Sequence, residues 1–413
     1  MFRAIACKAL PPFGEFHLDF PIVENRPENL AEVHLLTGVN GTGKTRLLAV
    51  LAAMLGNKEP LQKRLAGSSQ PITIWATNTP ERAIGLPFWN SMAASQQIMQ
   101  WEQRGEMQAW SGSVPAFAYD GSAYVSDATI RLVAGIPKPD RNACLSFSHT
   151  EKLSENLLQA IANLKVRAGM DQMRPGKTGT RFIEIVQGLE STISNITGQR
   201  FYFNVTGYEQ PNLLVGWGDS ELPFNLLPDG LRSIIGWMVS ATVMLDAWLQ
   251  GMGNLKDTEA VFLLDEVENH LHPVWQRRIL PAFQGMFPKA QMFVATHSPF
   301  VISSLNHGWI HILKQQKDGK VAVLDPVPAS EGDSYISVLE EIMGLEEWYD
   351  PETEKLLEEF RAERKQAYEG DFAAKEKATK LAEQIGKRSM ELQYMMGREL
   401  RQMERQLMNV QAK

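Results

Sequence analysis

Eight residues constrain this chain more than any others. Gly38-Val39-Asn40-Gly41-Thr42-Gly43-Lys44-Thr45 satisfies the pattern G-x-x-x-x-G-K-[ST] in full. The apolar run Val33-His34-Leu35-Leu36-Thr37 precedes it and helical spacing over 44–55 follows, which is the strand, loop, helix context that a phosphate-binding loop needs. In that setting backbone amides and the helix N-terminus can surround phosphate oxygens. Lys44 can then reach the β and γ phosphates and Thr45 can ligate magnesium. The residues expected to hold ATP are Gly38, Asn40, Gly41, Gly43, Lys44 and Thr45, with Mg2+ as the accompanying ion.

Two more apolar strands end in chemistry. Val261-Phe262-Leu263-Leu264 runs into Asp265-Glu266. Asp265, at the carboxyl end of a buried strand, is placed for the magnesium shell, and Glu266 for polarising an attacking water. Gln291-Met292-Phe293-Val294-Ala295 runs into Thr296-His297-Ser298, where His297 can hydrogen-bond a γ phosphate and sense its loss. The catalytic set read from these patterns is Lys44, Glu266 and His297; the metal set is Thr45 and Asp265.

Composition narrows the setting. The chain has 413 residues, 44% hydrophobic and 22% charged, which suits one large or two modest domains. A net charge of -7 gives no overall basic field for nucleic acid. Cys7 and Cys144 fit neither a zinc spacing nor a disulfide framework, and no leader or membrane span is evident, so a reducing cytoplasm is expected. Residues 57–150 read as an irregular, proline-broken insertion or lid, with a helix over 96–110 and a strand over 116–120 returning to the sheet. Helical spacing over 151–165 and 181–193, then alternation over 200–215, predicts a helical subdomain with a small sheet within 151–225. An apolar helix opens at Leu227-Pro228-Asp229-Gly230-Leu231. Beyond Pro328 the chain turns to charged helix, with Gly370-Asp371 as a turn between two helices.

The order of these elements resembles the ABC-type ATPases, with 227–233 in the place of their signature loop. The resemblance covers 1 to about 324 and implies an α/β P-loop NTPase of ABC head type: a mixed central sheet, a helical insertion and a C-terminal helical hairpin. ATPase domain 1–328 and helical assembly domain 329–413 follow from it. In that family the signature loop of one subunit caps the γ phosphate held by the other, so the resemblance implies a homodimer and adds Asp229 and Gly230 to the ATP-binding residues. The usual signature serine is Pro228 here, which removes a hydroxyl and leaves Ser233 or backbone amides to stand in. The family's magnesium-coordinating glutamine falls among Gln62, Gln70, Gln96 and Gln97. Glu266-Val267-Glu268-Asn269-His270-Leu271-His272-Pro273 with Thr296-His297-Ser298-Pro299 is similar to the overcoming-lysogenisation-defect ATPases, which makes His270 and His272 a dimer-contact loop rather than a metal pair.

The tail adds a narrower likeness. Ser334-Tyr335-Ile336-Ser337-Val338-Leu339, the run 352–360 and Glu369-Gly370-Asp371-Phe372 resemble the PtuA-type ATPases of Septu and retron antiphage systems. Those act beside a separately encoded HNH nuclease, and this chain shows no nuclease pattern of its own. The resemblance implies an ATP-hydrolysing sensor of a defence complex, partnered by an HNH-type nuclease and, through the complex, by DNA or retron nucleic acid. Leu356, Leu357, Phe360, Tyr368 and Phe372 would face a partner. The alternative is a self-contained RecF-like DNA-binding or repair ATPase, marked by salt-sensitive binding through a basic patch.

Overall fold

The computed structural model describes residues 1–57, 59–64, 72–79, 82–88, 114–121, 150–173, 180–207, 212–249, 253–329, 332, 334–345 and 347–411. They form two compact units, Met1–Met343 and Gly344–Lys413.

The first unit opens with a hairpin, β1 (Ala4–Leu10) and β2 (Gly14–Asp19), and continues into β3 (Glu32–Thr37). Helix α1 (Lys44–Met54) follows β3 across the phosphate loop, and α2 (Glu59–Arg64) follows α1. β4 (Ile72–Thr79) and β5 (Arg82–Phe88) then extend the hairpin into a four-stranded antiparallel sheet in the order β2-β1-β4-β5. Residues 72–79 and 82–88 are therefore strand, not the irregular stretch that the prolines suggest. Pro87 lies on the edge strand β5, where a missing amide is tolerated. The helix expected over 96–110, with Gln70, Gln96, Gln97 and Cys144, lies outside the described residues.

β6 (Ala116–Asp120) enters a second sheet. Helices α3 (Thr150–Met173) and α4 (Arg181–Thr197) and the small antiparallel sheet β7 (Phe201–Thr206), β8 (Asn212–Trp217) and β9 (Ser220–Pro223) follow. The chain continues through α5 (Asp229–Trp248), β10 (Ala260–Asp265), α6 (Pro273–Met286), β11 (Ala290–Ala295), the short α7 (Pro299–Ile302), β12 (Trp309–Gln315), β13 (Val321–Val323) and β14 (Val327–Pro328). The central sheet has seven strands in the order β13-β12-β3-β11-β10-β6, with β14 also on β12. The neighbours from β12 to β6 run parallel, while β13 and β14 are antiparallel additions, so the sheet is mixed.

Strands β3, β10 and β11 are buried along their whole length, as central parallel strands covered on both faces must be. One face packs against α3, α4, α5 and α6 through Trp237, Phe262, Phe283 and Phe287. The other packs on α1 and the hairpin through Phe2, Phe20, Leu47, Leu51 and Phe293. The strand ends away from the phosphate loop are locked by a buried polar network. Gln291 pairs with both backbone groups of Phe2 at 2.7 and 2.9 Å and donates to Glu32 at 2.7 Å. Arg3 and His34 donate to the same carboxylate, and His34 accepts from His311. Burial would raise the Glu32 carboxyl, but the hydrogen bonds from His34 and Arg3 outweigh it and hold it at about 2.

The second unit is three helices: α8 (Pro351–Tyr368), α9 (Phe372–Gly386) and α10 (Met390–Gln411). The tail is thus not the expected two-helix hairpin. Ser389 starts the third helix by accepting from the amide of Leu392. The core of this unit is built on Leu357, Phe360, Ala374, Ala378, Ala382, Ile385 and Met396, with Leu356 and Tyr368 packed beside it. Of the five residues expected to face a partner, Phe372 alone is largely exposed; the others sit in or against the core of the unit. Residues 334–343 lie with the first unit, where Val338 joins its core and Tyr335 stacks on Phe300.

Candidate functional site

The phosphate loop takes its shape from its glycines. Gly38, Gly41 and Gly43 all have positive φ. A Cβ on Gly38 would lie 2.3 Å from the carbonyl of Leu313 on β12, and one on Gly43 would lie 2.7 Å from the ring of Phe13, so close neighbours demand glycine at both. Gly41 has open space around it, and Asn40 and Gly41 form the exposed rim. Thr42 ties the loop to itself through Val39 O at 2.9 Å. The Lys44 ammonium folds back onto Gly38 O at 2.8 Å and Val39 O at 3.2 Å, satisfying donors that a polyphosphate could take over. Burial lowers Lys44 to about 8, against the pull of Asp265, Glu266 and Glu268.

Parallel pairing brings the acidic strand end to this loop. Asp265 ends β10 in register with Ala295 on β11 and Asp120 on β6. The Thr45 side chain lies close enough to the Asp265 carboxylate to lower it. Burial pushes Asp265 up to about 7, and Asp120 and Glu266 add to the rise while the Thr45 side chain opposes it. A hydroxyl and a carboxylate side by side, with further carboxylates near them, are an oxygen donor set that suits magnesium.

Glu266 leaves the strand with φ 49, a left-handed conformation that a side-chain-bearing residue adopts under constraint. Its amide donates to Ala295 O at 2.9 Å, and its carboxylate accepts from Asn269 Nδ2 at 2.8 Å. Gly121, directly after β6, donates its amide to Asp265 O at 2.7 Å and lies beneath the Glu266 carbonyl. His297 follows β11. Burial and the Lys44 charge lower its imidazole, with Glu266 opposing, which places it within electrostatic reach of both. Lys44, Thr45, Asp265, Glu266 and His297 therefore gather at the carboxyl ends of the central strands β3, β10 and β11.

Asp229 and Gly230 are arranged differently. Asp229 pairs with Arg232, and Gly230 is buried where a Cβ would meet the carbonyl of His270 at 2.6 Å. No hydrogen bond among the described residues joins either to the phosphate loop. Pro228 is the N-cap of α5 and provides no side-chain cap. Ser233 is buried and faces the Tyr119 hydroxyl at 3.4 Å, so it is not free to replace a signature serine. His272 accepts from the amide of Val274 and caps α6, while His270 is exposed with φ 64. Gln62 lies on α2.

Three residues here escape sequence reasoning. Asp120 is set beside Asp265 by strand order, which no local pattern reveals. Asn269 and Glu268 sit in the loop after β10, and the Glu268 carboxylate holds the 296–298 turn through hydrogen bonds from Thr296, His297 and Ser298. Glu268 invites attention only as an acidic residue between the apolar Val267 and Leu271.

A parallel-cored α/β sheet with a phosphate loop after one strand and an acidic pair ending another defines a P-loop nucleotide-binding domain. Residues 215–303 match the family described as "AAA domain, putative AbiEii toxin, Type IV TA system", a stretch running from β8 to the turn after α7. The matched stretch contains the acidic strand end and the 296–298 turn, and the phosphate loop lies upstream of it. It is distantly similar to the Septu protein PtuA of Bacillus thuringiensis, 28% identical over 154 residues, or 36% of this chain and 39% of that one. It is also similar to the Retron Ec83 probable ATPase of Escherichia coli, 30% identical over 103 residues, or 25% of this chain and 19% of that one. Both matches cover well under two thirds of those proteins. Among solved structures, the Smc head domain of Pyrococcus furiosus bound to the C-terminal domain of ScpA aligns at a TM-score of 0.44 and 13% identity, covering 83% of this chain and 99% of that one.

Proposed function

We propose that this chain binds ATP at the 38–45 loop and hydrolyses it to ADP and phosphate, and that the cycle switches a partner in an antiphage defence complex. The observation that carries the hydrolytic reading is that the β10 strand end carrying Asp265 and Glu266 stands within electrostatic reach of Lys44 on the phosphate loop, with Thr45 beside Asp265. On this reading Lys44 exchanges the carbonyls of Gly38 and Val39 for phosphate oxygens, and the amides of the loop and of the α1 N-terminus receive the remaining charge. Thr45 and Asp265 would hold Mg2+, which supplies charge neutralisation at the phosphates. Glu266, oriented by Asn269, takes a proton from water as that water attacks the γ phosphorus and the bond to the ADP oxygen breaks. His297 reads the presence of the γ phosphate.

The N-terminus of α5 has no side-chain cap and makes no hydrogen bond to the phosphate loop among the described residues, which supports its being the element that a second copy would present. Asp229 and Gly230 then act across a homodimer, with backbone amides in place of the hydroxyl that Pro228 lacks. Similarity to the Septu and retron proteins supports an effector encoded separately, an HNH-type nuclease, with nucleic acid engaged through the complex. Phosphate release by wild type, Lys44→Ala and Glu266→Gln tests the enzyme. The expectation is a fall of about 10²–10⁴-fold for Glu266→Gln with ATP still bound; equal background release from all three proteins would sink it. Isolation of the chain expressed from its own operon, with the companion proteins identified, tests the partner. Recovery of the chain alone, with salt-sensitive DNA binding, would favour the RecF-like alternative.

A further inference from the structure

We propose that Glu268 is the positioning residue of the 296–298 turn: its buried carboxylate ties that turn to the Asp265–Glu266 strand end and so sets where the His297 imidazole stands. This rests on the hydrolytic reading above and adds to it a residue outside the phosphate loop, the acidic pair and the histidine.

The geometry is specific. Glu268 is only 8% exposed, and a single oxygen, Oε1, accepts from Thr296 Oγ1 at 2.6 Å, His297 N at 2.8 Å and Ser298 N at 3.2 Å. These donors come from a segment 28 to 30 residues further along the chain. Charge-assisted bonds are the strong kind, and two amides and a hydroxyl on one acceptor fix a turn better than any neutral pair. The two residues flanking His297 have other anchors. Thr296 donates its amide to Leu36 O at 3.1 Å, and Ser298 donates its hydroxyl to Gln276 Oε1 at 2.6 Å. The backbone hydrogen bond that holds His297 is the one to Glu268, so losing this carboxylate releases the histidine while its neighbours stay attached.

The second oxygen points to more than packing. Glu268 Oε2 is buried and has no hydrogen-bond partner among the described residues. A desolvated carboxylate with one unsatisfied oxygen is a poor stabiliser compared with an apolar side chain of similar volume. What the position gains is a rigid link between two strand ends that both face the phosphate loop. Gln276 of α6 reinforces the link by donating to Leu271 O at 3.0 Å and, more weakly, to Glu268 O at 3.4 Å, while accepting from Ser298. Glu268 lies near enough to Lys44 to favour its charged form, so the link sits at the edge of the site and not in a remote part of the core.

Substitution, read by two independent measurements, tests this. With 15N-histidine labelling the eight histidine amides are observed together, and His297→Ala identifies the one that belongs to His297. In Glu268→Ala that amide should exchange with solvent about tenfold faster or more, with nucleotide-analogue binding retained. Phosphate release should fall about 10²-fold in kcat, with KM for ATP changed no more than about threefold. Glu268→Gln keeps an oxygen acceptor for the three donors and should recover to within about tenfold of wild type. The double variant Glu268→Ala/His297→Ala should be no slower than His297→Ala alone, because one residue acts through the other. Multiplying single effects, a Gln variant as slow as the Ala variant, or an unchanged His297 amide in Glu268→Ala would each overturn the proposal. A wild type no faster than Lys44→Ala defeats the hydrolytic reading instead, and the amide exchange still decides for or against Glu268.

Discussion

Replacing Gly121 by alanine should cripple the site without touching any residue of the phosphate loop. An added Cβ would stand 1.9 Å from the carbonyl oxygen of Glu266, 2.6 Å from its carbon and 3.1 Å from the oxygen of Asp265. Real Cβ atoms essentially never come within 3.0 Å of another heavy atom, and the obstacle is backbone rather than the end of a flexible side chain. The Glu266 carbonyl must therefore withdraw by about 1.1 Å, or the 2.7 Å hydrogen bond from Gly121 N to Asp265 O must break. Overpacking of this kind costs about 1–3 kcal/mol of stability. On the hydrolytic reading the same shift would carry the Glu266 carboxylate away from the attacking water, and a misplacement of about 1 Å is worth about 10²-fold in rate. Thermal melting and phosphate release on Gly121→Ala read the two effects. A variant with unchanged melting and unchanged kcat would refute the close approach of β6 to the acidic strand end.

Other outcomes follow from the same geometry. Asn269→Ala should lower kcat about tenfold with little change in KM, because the Glu266 carboxylate loses its 2.8 Å donor but keeps its place; steady-state phosphate release checks this. Gln291→Leu should destabilise the first unit by about 3 kcal/mol, since both backbone groups of Phe2 and the Glu32 carboxylate lose partners in the interior; denaturant unfolding measures it. ATP affinity should fall as pH rises through about 8. Lys44 titrates there in the free protein and is held protonated by bound phosphate, so binding takes up a proton above that pH. The magnesium-dependent part of the affinity should fall as pH drops below about 7, where Asp265 takes a proton in place of a cation. Titration with a fluorescent ATP analogue across this range checks both limbs, and a flat profile above pH 8 would remove Lys44 from the binding site.

The chemistry-bearing segments were legible because each concentrates its signal in a few contiguous residues. Gly38 to Thr45, Asp265-Glu266 and His297 each end an apolar run short enough to be a buried strand, and β3, β10 and β11 lie where those runs are. Helical spacing also marked α3 and α4, and Gly370-Asp371 marked a turn. It could not say what those elements face. Leu357 and Phe360 look equally apolar whether a partner or their own unit covers them, and only packing against α9 and α10 decides that the unit does. Ser233 reads as a spare hydroxyl until Tyr119, more than a hundred residues away, is found against it. Asp120 beside Asp265, Gly121 beneath Glu266 and Glu268 under His297 depend on which strands are neighbours, and that order is set by long-range pairing with no trace in local sequence. The residues able to touch a phosphate could be named from the chain; those that hold them in place come into view only when the sheet is assembled.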